Sequence, residues 1–373
     1  MERIKVGVIG CGMISEIYMK NITTLFADSL TLVACANRSP AAAEQRAAEF
    51  GIKAMTVEEL LESPDVELVL NLTVPASHFE INKQILLAGK HCYCEKPLAM
   101  TLEEGRWLLT LAKERGLLVA SAPDTFLGAG LQTCFQLLQE GVIGKPVSAQ
   151  AFMIGTGPEV FHANPAFFYQ PGAGPLFDMG PYYYTALAAA FGPAMRVVGF
   201  GSRSVKERQI QNPASKLYPG TFPVEVDTLV SGMVEFQNGV IANIITSWDF
   251  DYPYFKAPFP ALTVLGTKGT MFMPDPNTFG GTDTVVGTDK IGRTITLVRS
   301  GKREEVPLRS AYVDNCRGLG LADLARCIRQ GGKPRVSGEM ALHVLEMMLG
   351  VAKSAETGAF YEMTTTFTKP LIL

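Results

Sequence analysis

No stretch of this chain is apolar for long enough to span a bilayer; the longest hydrophobic runs, such as residues 66–74, have the length of buried strands. A membrane is therefore not an expected partner. Nor is there a basic block. The 33 Lys and Arg residues are scattered among 36 Asp and Glu, for a net charge of −3, which offers a polyanion nothing to dock on and argues against nucleic acid as a partner. No basic-then-apolar leader precedes the first strand-like run, so a cytoplasmic location is expected. The seven cysteines are odd in number and show no closed metal-ligand spacing; Cys92 and Cys94 alternate along a strand and so face opposite ways. They read as structural thiols, with no disulfide and no metal site. Internal repeats and low-complexity linkers are also missing.

What is present is the composition of a soluble globular enzyme, 47% hydrophobic and 18% charged, in 373 residues. That length exceeds one ordinary core, so two domains are expected. Residues 4–9 form a strand-like run, followed by Gly10-Cys11-Gly12-Met13-Ile14-Ser15 and a helix-compatible segment to about Leu25. This is the G-x-G-x-x-G context with Ser in the third place. Gly10 permits a tight turn, Gly12 lets backbone approach a pyrophosphate, and the helix N-terminus supplies N–H groups. Residues 30–36 read as the second strand. At its end a carboxylate usually marks a free ribose hydroxyl, whereas Arg and hydroxyl donors suit a 2′-phosphate. Here the chain reads Asn37-Arg38-Ser39, which leans to NADP(H) over NAD(H), although Arg38 also reads as a solvated helix-start residue.

Strand and helix then alternate: helices over 40–50, 57–61, 75–88 and 102–115, strands over 66–73, 91–94 and 117–121. Such alternation predicts a parallel sheet with helical crossovers, a doubly wound α/β domain over residues 1–123. Pro75 suits a first helical turn, which leaves Thr73 and Val74 in a loop at the carboxyl edge of that sheet. The strand 91–94 ends in Glu95-Lys96-Pro97, and Pro97 biases Lys96 away from helical geometry. Trp107, on the intervening helix, reads as core.

After Pro123 the texture changes. A helix over 125–140 precedes strand-like runs over 147–154, 195–201, 226–236, 240–248, 261–265 and 294–298, with hairpin signals at Gln237-Asn238-Gly239 and Thr267-Lys268-Gly269. The expectation for 124–373 is an α/β domain on a large, mostly antiparallel open sheet, with terminal helices 316–330 and 338–356 packing back on the first domain. Within it, the glycine-rich run 172–174 leads into a helix on which Asp178 and Tyr182 stand four apart and share a face. A carboxylate and a phenol could there meet one substrate; equally, Asp178 reads as a cap and the tyrosines as core. Phe168 and Tyr169 read as pocket wall or as packing.

Four stretches in order, Gly10 to Ser15, Thr73-Val74-Pro75-Ala76-Ser77-His78, Glu95-Lys96-Pro97 and the run through Asp178 to Tyr182, resemble the Gfo/Idh/MocA oxidoreductases, the family of glucose-fructose oxidoreductase and inositol dehydrogenase. The resemblance spans essentially the whole chain. It implies an N-terminal Rossmann domain, a C-terminal domain for substrate binding and oligomerisation, a nicotinamide cofactor, and a sugar, cyclic polyol or derivative as substrate. A homodimer or homotetramer through the C-terminal sheet is implied as well. Lys96 takes the family's catalytic lysine position and Asp178 the position that holds a substrate hydroxyl. Tyr182 stands where many relatives have His, as an acid/base candidate. The candidate cofactor-binding residues are then Gly10, Gly12, Met13, Ile14, Asn37, Arg38, Thr73, Pro75, His78, Glu95 and Lys96. Two other readings keep the cofactor: glycoside cleavage by transient oxidation, and a non-catalytic dinucleotide-binding protein.

Overall fold

The computed structural model describes residues 2–251, 259–284 and 290–373. They form two compact units, Met1–Leu127 with Asn315–Leu345, and Gly128–Asp314 with Glu346–Leu373.

In the first unit the chain alternates as its periodicity predicts: β1 (Ile4–Ile9), α1 (Met13–Thr23), β2 (Leu30–Ala36), α2 (Pro40–Phe50), β3 (Lys53–Met55), α3 (Val57–Glu62), β4 (Leu68–Asn71), α4 (Pro75–Leu87), β5 (His91–Cys94), α5 (Leu102–Glu114) and β6 (Val119–Ser121), with the short exposed β3 the one strand not foreseen. All six strands are parallel, in the order β3-β2-β1-β4-β5-β6, the doubly wound arrangement with its reversal between β1 and β4. Local chemistry sets the helix starts. Thr56 with Glu59 and Thr101 with Glu104 close capping boxes on α3 and α5, and prolines occupy the first turns of α2 and α4. Leu68, Val69 and Leu70 are fully buried, each contributing about 1.5–3 kcal/mol by leaving water. Trp107 departs from the expected core position: it is 41% exposed, edge-on to Phe79, with the Lys83 ammonium 5.7 Å from its ring. An indole at the outer edge of a helix pair covers apolar surface without being enclosed.

The second unit holds α6 (Ala129–Gln139), β7 (Pro146–Ile154), α7 (Gly174–Asp178), α8 (Gly180–Phe191), β8 (Ala194–Ser202), β9 (Glu207–Gln209), β10 (Thr221–Pro223), β11 (Leu229–Phe236), β12 (Ile241–Ser247), β13 (Leu262–Gly266), β14 (Gly269–Met273), β15 (Thr294–Arg299) and β16 (Lys302–Pro307). Then come α9 (Leu319–Gln330), in the first unit, α10 (Gly338–Thr357), within which the division at Leu345 falls, and β17 (Tyr361–Glu362). Nine strands form the large sheet in the order β16-β15-β14-β13-β7-β12-β11-β8-β17, antiparallel throughout except where β7 meets β12. Both hairpin turns fall where expected, joining β11 to β12 and β13 to β14.

In the first unit α9 is anchored by a buried carboxylate. Asp124, 1% exposed, accepts hydrogen bonds from the N–H groups of Gly318 (2.8 Å) and Gly320 (3.0 Å) at the N-terminus of that helix. Burial nonetheless pushes its carboxyl up to about 6.

Candidate active site

Loops leave the carboxyl ends of β1, β4 and β5, which are neighbours in the first sheet. After β1, Gly10 adopts φ 106°, and a Cβ there would stand 2.6 Å from the carbonyl carbon of Leu72 and 2.7 Å from its oxygen. Only glycine fits, so the β1 loop lies directly on the β4 loop. Gly12 is different. A Cβ there would meet nothing within 4 Å, Gly12 and Met13 are exposed, and α1 starts with no side-chain cap. Met13 and Ile14 therefore begin a helix whose first N–H groups remain for an anion, a seat that fits a dinucleotide's phosphates. Ser15, in the third glycine's place, is fully buried and donates its hydroxyl hydrogen to the Gly12 carbonyl at 2.6 Å. A small hydroxyl thus serves where the strict pattern has glycine. At the end of β2, the Asn37 side-chain oxygen accepts from the Cys11 N–H at 3.2 Å, and Arg38 is exposed.

The β4 and β5 loops are tied together by His78 and Glu95, both expected at the site, and by Asn71, Asn82 and Tyr18, which the sequence did not single out. Asn71, fully buried at the end of β4, accepts from the Thr73 N–H (3.1 Å) and hydroxyl (2.7 Å) and donates to Asn82 (2.8 Å). Asn82 in turn donates to the Leu98 carbonyl at 3.2 Å. His78 is fully buried on α4, its ring nitrogens 2.6 Å from the Pro97 carbonyl oxygen and 2.9 Å from that of Thr73. Burial lowers its pKa while the two carbonyl contacts oppose that shift; a neutral ring carries a single N–H and donates to only one of the two carbonyls, so the ring sits between the two loops with one donated bond and one close contact. Glu95 receives the Tyr18 hydroxyl at 2.8 Å and the Lys96 N–H at 2.9 Å, while its own N–H donates to the Asn71 carbonyl. Burial, then the Glu95 carboxylate, pushes the Tyr18 phenol up, keeping it a donor. The half-buried Lys96 thus stands on a backbone fixed from β4, α1 and α4. An asparagine closing an apolar strand was the available signal for Asn71; Tyr18 carried none.

In the second unit Asp178 and Tyr182 do not share one helix as expected. Asp178 ends α7 and Tyr182 lies in the first turn of α8, with Met179 between them. Pro181 has no N–H to continue the helical ladder, so the chain restarts. The two remain four residues apart across that joint, and both are half-buried, whereas Tyr183 and Tyr184 are each 1% exposed. Tyr182 is therefore the accessible phenol of the three. Tyr183 donates to Asp275 at 3.4 Å, and burial pushes that carboxyl up to about 6. Asp275, Tyr183, Phe152, Phe272, Thr282 and Arg303 belong to the wall of a cavity of about 290 Å3; Asp178 and Tyr182 do not. Phe168 and Tyr169 are packed, with Tyr169 fully buried, its hydroxyl donating to Glu159 and its ring in contact with Trp248. Arg208 bonds Glu159 and Asp249 at 2.5 Å each, a buried charge network fastening this aromatic cluster.

Among the described residues no group of three or more His, Cys, Asp or Glu is arranged to hold a metal, no helix is long and apolar enough to cross a membrane, and all seven cysteines are free.

Comparison with known proteins gives concordant matches. Residues 4–122 match the model of an oxidoreductase family with an NAD-binding Rossmann fold, and residues 131–272 match the GFO/IDH/MocA C-terminal domain. The chain is 28% identical over 363 residues to 1,5-anhydro-D-fructose reductase of Ensifer adhaerens, covering 96% of this chain and 98% of that protein. It is 24% identical to scyllo-inositol 2-dehydrogenase (NAD(+)) of Bacillus subtilis, covering 96% and 95%. Levoglucosan dehydrogenase, solved in complex with NADH and L-sorbose, shares the fold with a TM-score of 0.79 at 19% identity, over 98% of this chain and 100% of that one.

Proposed function

Since the chain belongs to the Gfo/Idh/MocA oxidoreductase family, we propose that it is a nicotinamide-dependent dehydrogenase or reductase acting on a hydroxyl-bearing carbon of a sugar, cyclic polyol or derivative. The observation that carries this reading is the junction of two features in the first unit: the open backbone at Gly12, and Lys96 on a loop braced by Glu95 and His78. When bound, the nicotinamide supplies hydride exchange. Gly10, Gly12, Met13 and Ile14 form its phosphate seat, with Thr73, Pro75 and the Glu95–Lys96 loop beside it; His78 acts by holding those loops. Asn37 and Arg38, with no carboxylate between them to repel a 2′-phosphate, favour NADP(H) over NAD(H). On this reading residues 1–123 are the dinucleotide-binding domain and 124–373 the substrate-binding and oligomerisation domain.

Three side chains divide the remaining work. An alcohol releases hydride from carbon only as its hydroxyl proton leaves, so a proton carrier is needed. Tyr182 fills that role, being the one accessible phenol of its run. Lys96 polarises the substrate oxygen, and Asp178 accepts hydrogen bonds from substrate hydroxyls. Seven free thiols fit the cytoplasm. A homodimer or homotetramer is favoured by one sheet face, where Phe200, Met233, Ile241 and Leu265 are 75%, 46%, 43% and 38% exposed.

The test is a panel of sugars and polyols with each dinucleotide, followed by variants on the best pair. Lys96→Ala is expected to lower kcat by roughly 100-fold or more while dinucleotide binding survives. Tyr182→Phe is expected to lower the rate and change the pH profile. Full turnover in Lys96→Ala would remove the mechanism, and a parental profile in Tyr182→Phe would assign the proton to another group.

A further inference from the structure

Among the described residues Asp275 is the only acid in the wall of the second unit's cavity of about 290 Å3, and no cation pairs with it. It stands two residues past β14, in a turn that holds one of its carboxylate oxygens. Oδ1 accepts the Asn277 N–H at 2.9 Å, and the Asp275 backbone carbonyl accepts the Thr278 hydroxyl at 2.8 Å. The other oxygen, Oδ2, meets the Tyr183 hydroxyl at 3.4 Å, beyond the ordinary O–H···O range of about 2.5–3.0 Å. Arg303, the other charged group of this wall, is already engaged: its Nε donates to Glu305 at 2.9 Å and its Nη2 to the Thr296 hydroxyl at 3.3 Å. Asp275 is thus the cavity's uncompensated charge, a costly state for a carboxylate withdrawn from water.

The hydroxyls of the same wall narrow the chemistry further. Thr282 gives its hydrogen to the Thr294 carbonyl (3.0 Å), Thr284 to that of Gly281 (2.7 Å) and Thr296 to the Glu305 carboxylate (3.0 Å). With those hydrogens committed, the three oxygens meet a ligand as acceptors only. Arg303 apart, the polar part of the wall is therefore all acceptor and negative. The complement is a group that is all donor and positive, and an ammonium, with three N–H and no lone pair, is that group. The rest of the wall is apolar: Phe152 and Phe259, their ring centroids 5.4 Å apart, with Phe272, Met273 and Pro274. A bare metal ion would leave that surface uncovered, whereas an apolar body on the ammonium covers it.

We propose that this cavity is a binding site for a primary amine carried on a compact apolar body, with Asp275 as the counter-ion of its ammonium. The ammonium donates to Asp275 Oδ2 in a charge-assisted hydrogen bond, and its remaining N–H groups find acceptors among the threonine oxygens. The body lies against the phenylalanines, whose ring faces also attract a cation. Neither Asp178 nor Tyr182 belongs to this wall, so amine binding here does not depend on the hydride-transfer reading.

The test is calorimetric titration of the full chain with phenethylamine and with phenethyl alcohol, the same body carrying a neutral hydroxyl. It is run at fixed salt and about pH 7.5, where the amine is protonated and Asp275 ionised. The amine is expected to bind one to one and at least about tenfold more tightly than the alcohol, the difference a hydrogen bond to a charged group makes. Asp275→Asn keeps an Oδ1 acceptor for Asn277 and loses the charge; it is expected to abolish that preference and leave alcohol binding as in the parent. Phe152→Ala is expected to weaken amine and alcohol alike, by about fivefold, which locates both ligands in this cavity and keeps the test open should Asp275→Asn not fold. No amine binding, equal affinity for amine and alcohol in the parent, a preference that survives Asp275→Asn, or amine binding untouched by Phe152→Ala would each overturn the site.

Discussion

Gly10 and Gly12, two residues apart, should fail in opposite ways when each is replaced by alanine. At Gly10 the backbone lies at φ 106° and the new Cβ would sit 2.6 Å from backbone carbon of Leu72, an atom that cannot swing aside as a side-chain tip can. A positive φ costs a non-glycine residue roughly 1–2 kcal/mol, and forcing atoms into a filled space about 1–3 kcal/mol more. The loss of about 2–5 kcal/mol corresponds, for a unit of this size, to a fall in Tm of about 5–15 °C. Gly12 has φ −74° and ψ −172°, an extended conformation open to any residue, with nothing within 4 Å of the added atom. Stability there should change by no more than about 0.5 kcal/mol. The methyl group would instead stand where a pyrophosphate must approach, so dinucleotide affinity should weaken by about 1.4 kcal/mol or more, tenfold. Scanning calorimetry of the reduced, ligand-free variants and fluorescence titration with NAD(P)H separate the outcomes. Gly12→Ala that melts and binds like the parent would show that no phosphate sits at this helix start. Gly10→Ala with an unshifted Tm would refute the steric argument for the β1–β4 loop contact.

Other consequences can be measured on the same material. Arg38→Ala should weaken NADP+ binding by about 1 kcal/mol, near fivefold, because an exposed charge-assisted contact is heavily screened, and leave NAD+ binding unchanged; an equal change for both would deny Arg38 a 2′-phosphate role. Asp124, held protonated to a higher pH when folded than when unfolded, binds a proton in the native state between about pH 4 and 6 that the unfolded chain has lost. Its contribution is therefore present at low pH and lost as pH rises through about 6, a change of about 3 kcal/mol. Asp124→Asn should flatten that part of the Tm–pH curve, and an unaltered slope would assign it to other groups, Asp275 among them.

How much of this was legible in the sequence follows from the range over which each signal acts. The first sheet was readable because its buried strands are short apolar runs separated by helices, and parallel order then follows from the right-handed crossover. In the second unit six of the apolar strands were found and β14, Gly269–Met273, was marked only by its hairpin turn, but β16, Lys302–Pro307, was missed: an edge strand of charged residues has no buried face to impose alternation. The parallel meeting of β7 and β12 escaped for another reason, since their residues lie about ninety positions apart and periodicity carries no register at that distance. The site divides along the same line. Gly10, Lys96 and Asp178 sit in local motifs whose chemistry is visible in a few residues. The groups that brace the Lys96 loop are polar side chains paired across the first unit, Tyr18 with Glu95 and Asn71 with Asn82, and the pairing of Arg208 with Glu159 and Asp249 that fastens the aromatic cluster of the second unit is of the same kind. Each alone reads as an ordinary residue, and only the buried pairing gives it meaning, since a polar group removed from water must find its partner wherever the chain supplies one. The break between α7 and α8 is the intermediate case. Gly180-Pro181 was in plain view, and a proline in the second position of a helix start both permits Tyr182 its first turn and denies Asp178 membership of the same helix. Joining the two by a restart in place of a rigid turn lets the carboxylate and the phenol be set separately, so a substitution at Pro181 should disturb their spacing before it disturbs the core beneath Tyr183 and Tyr184.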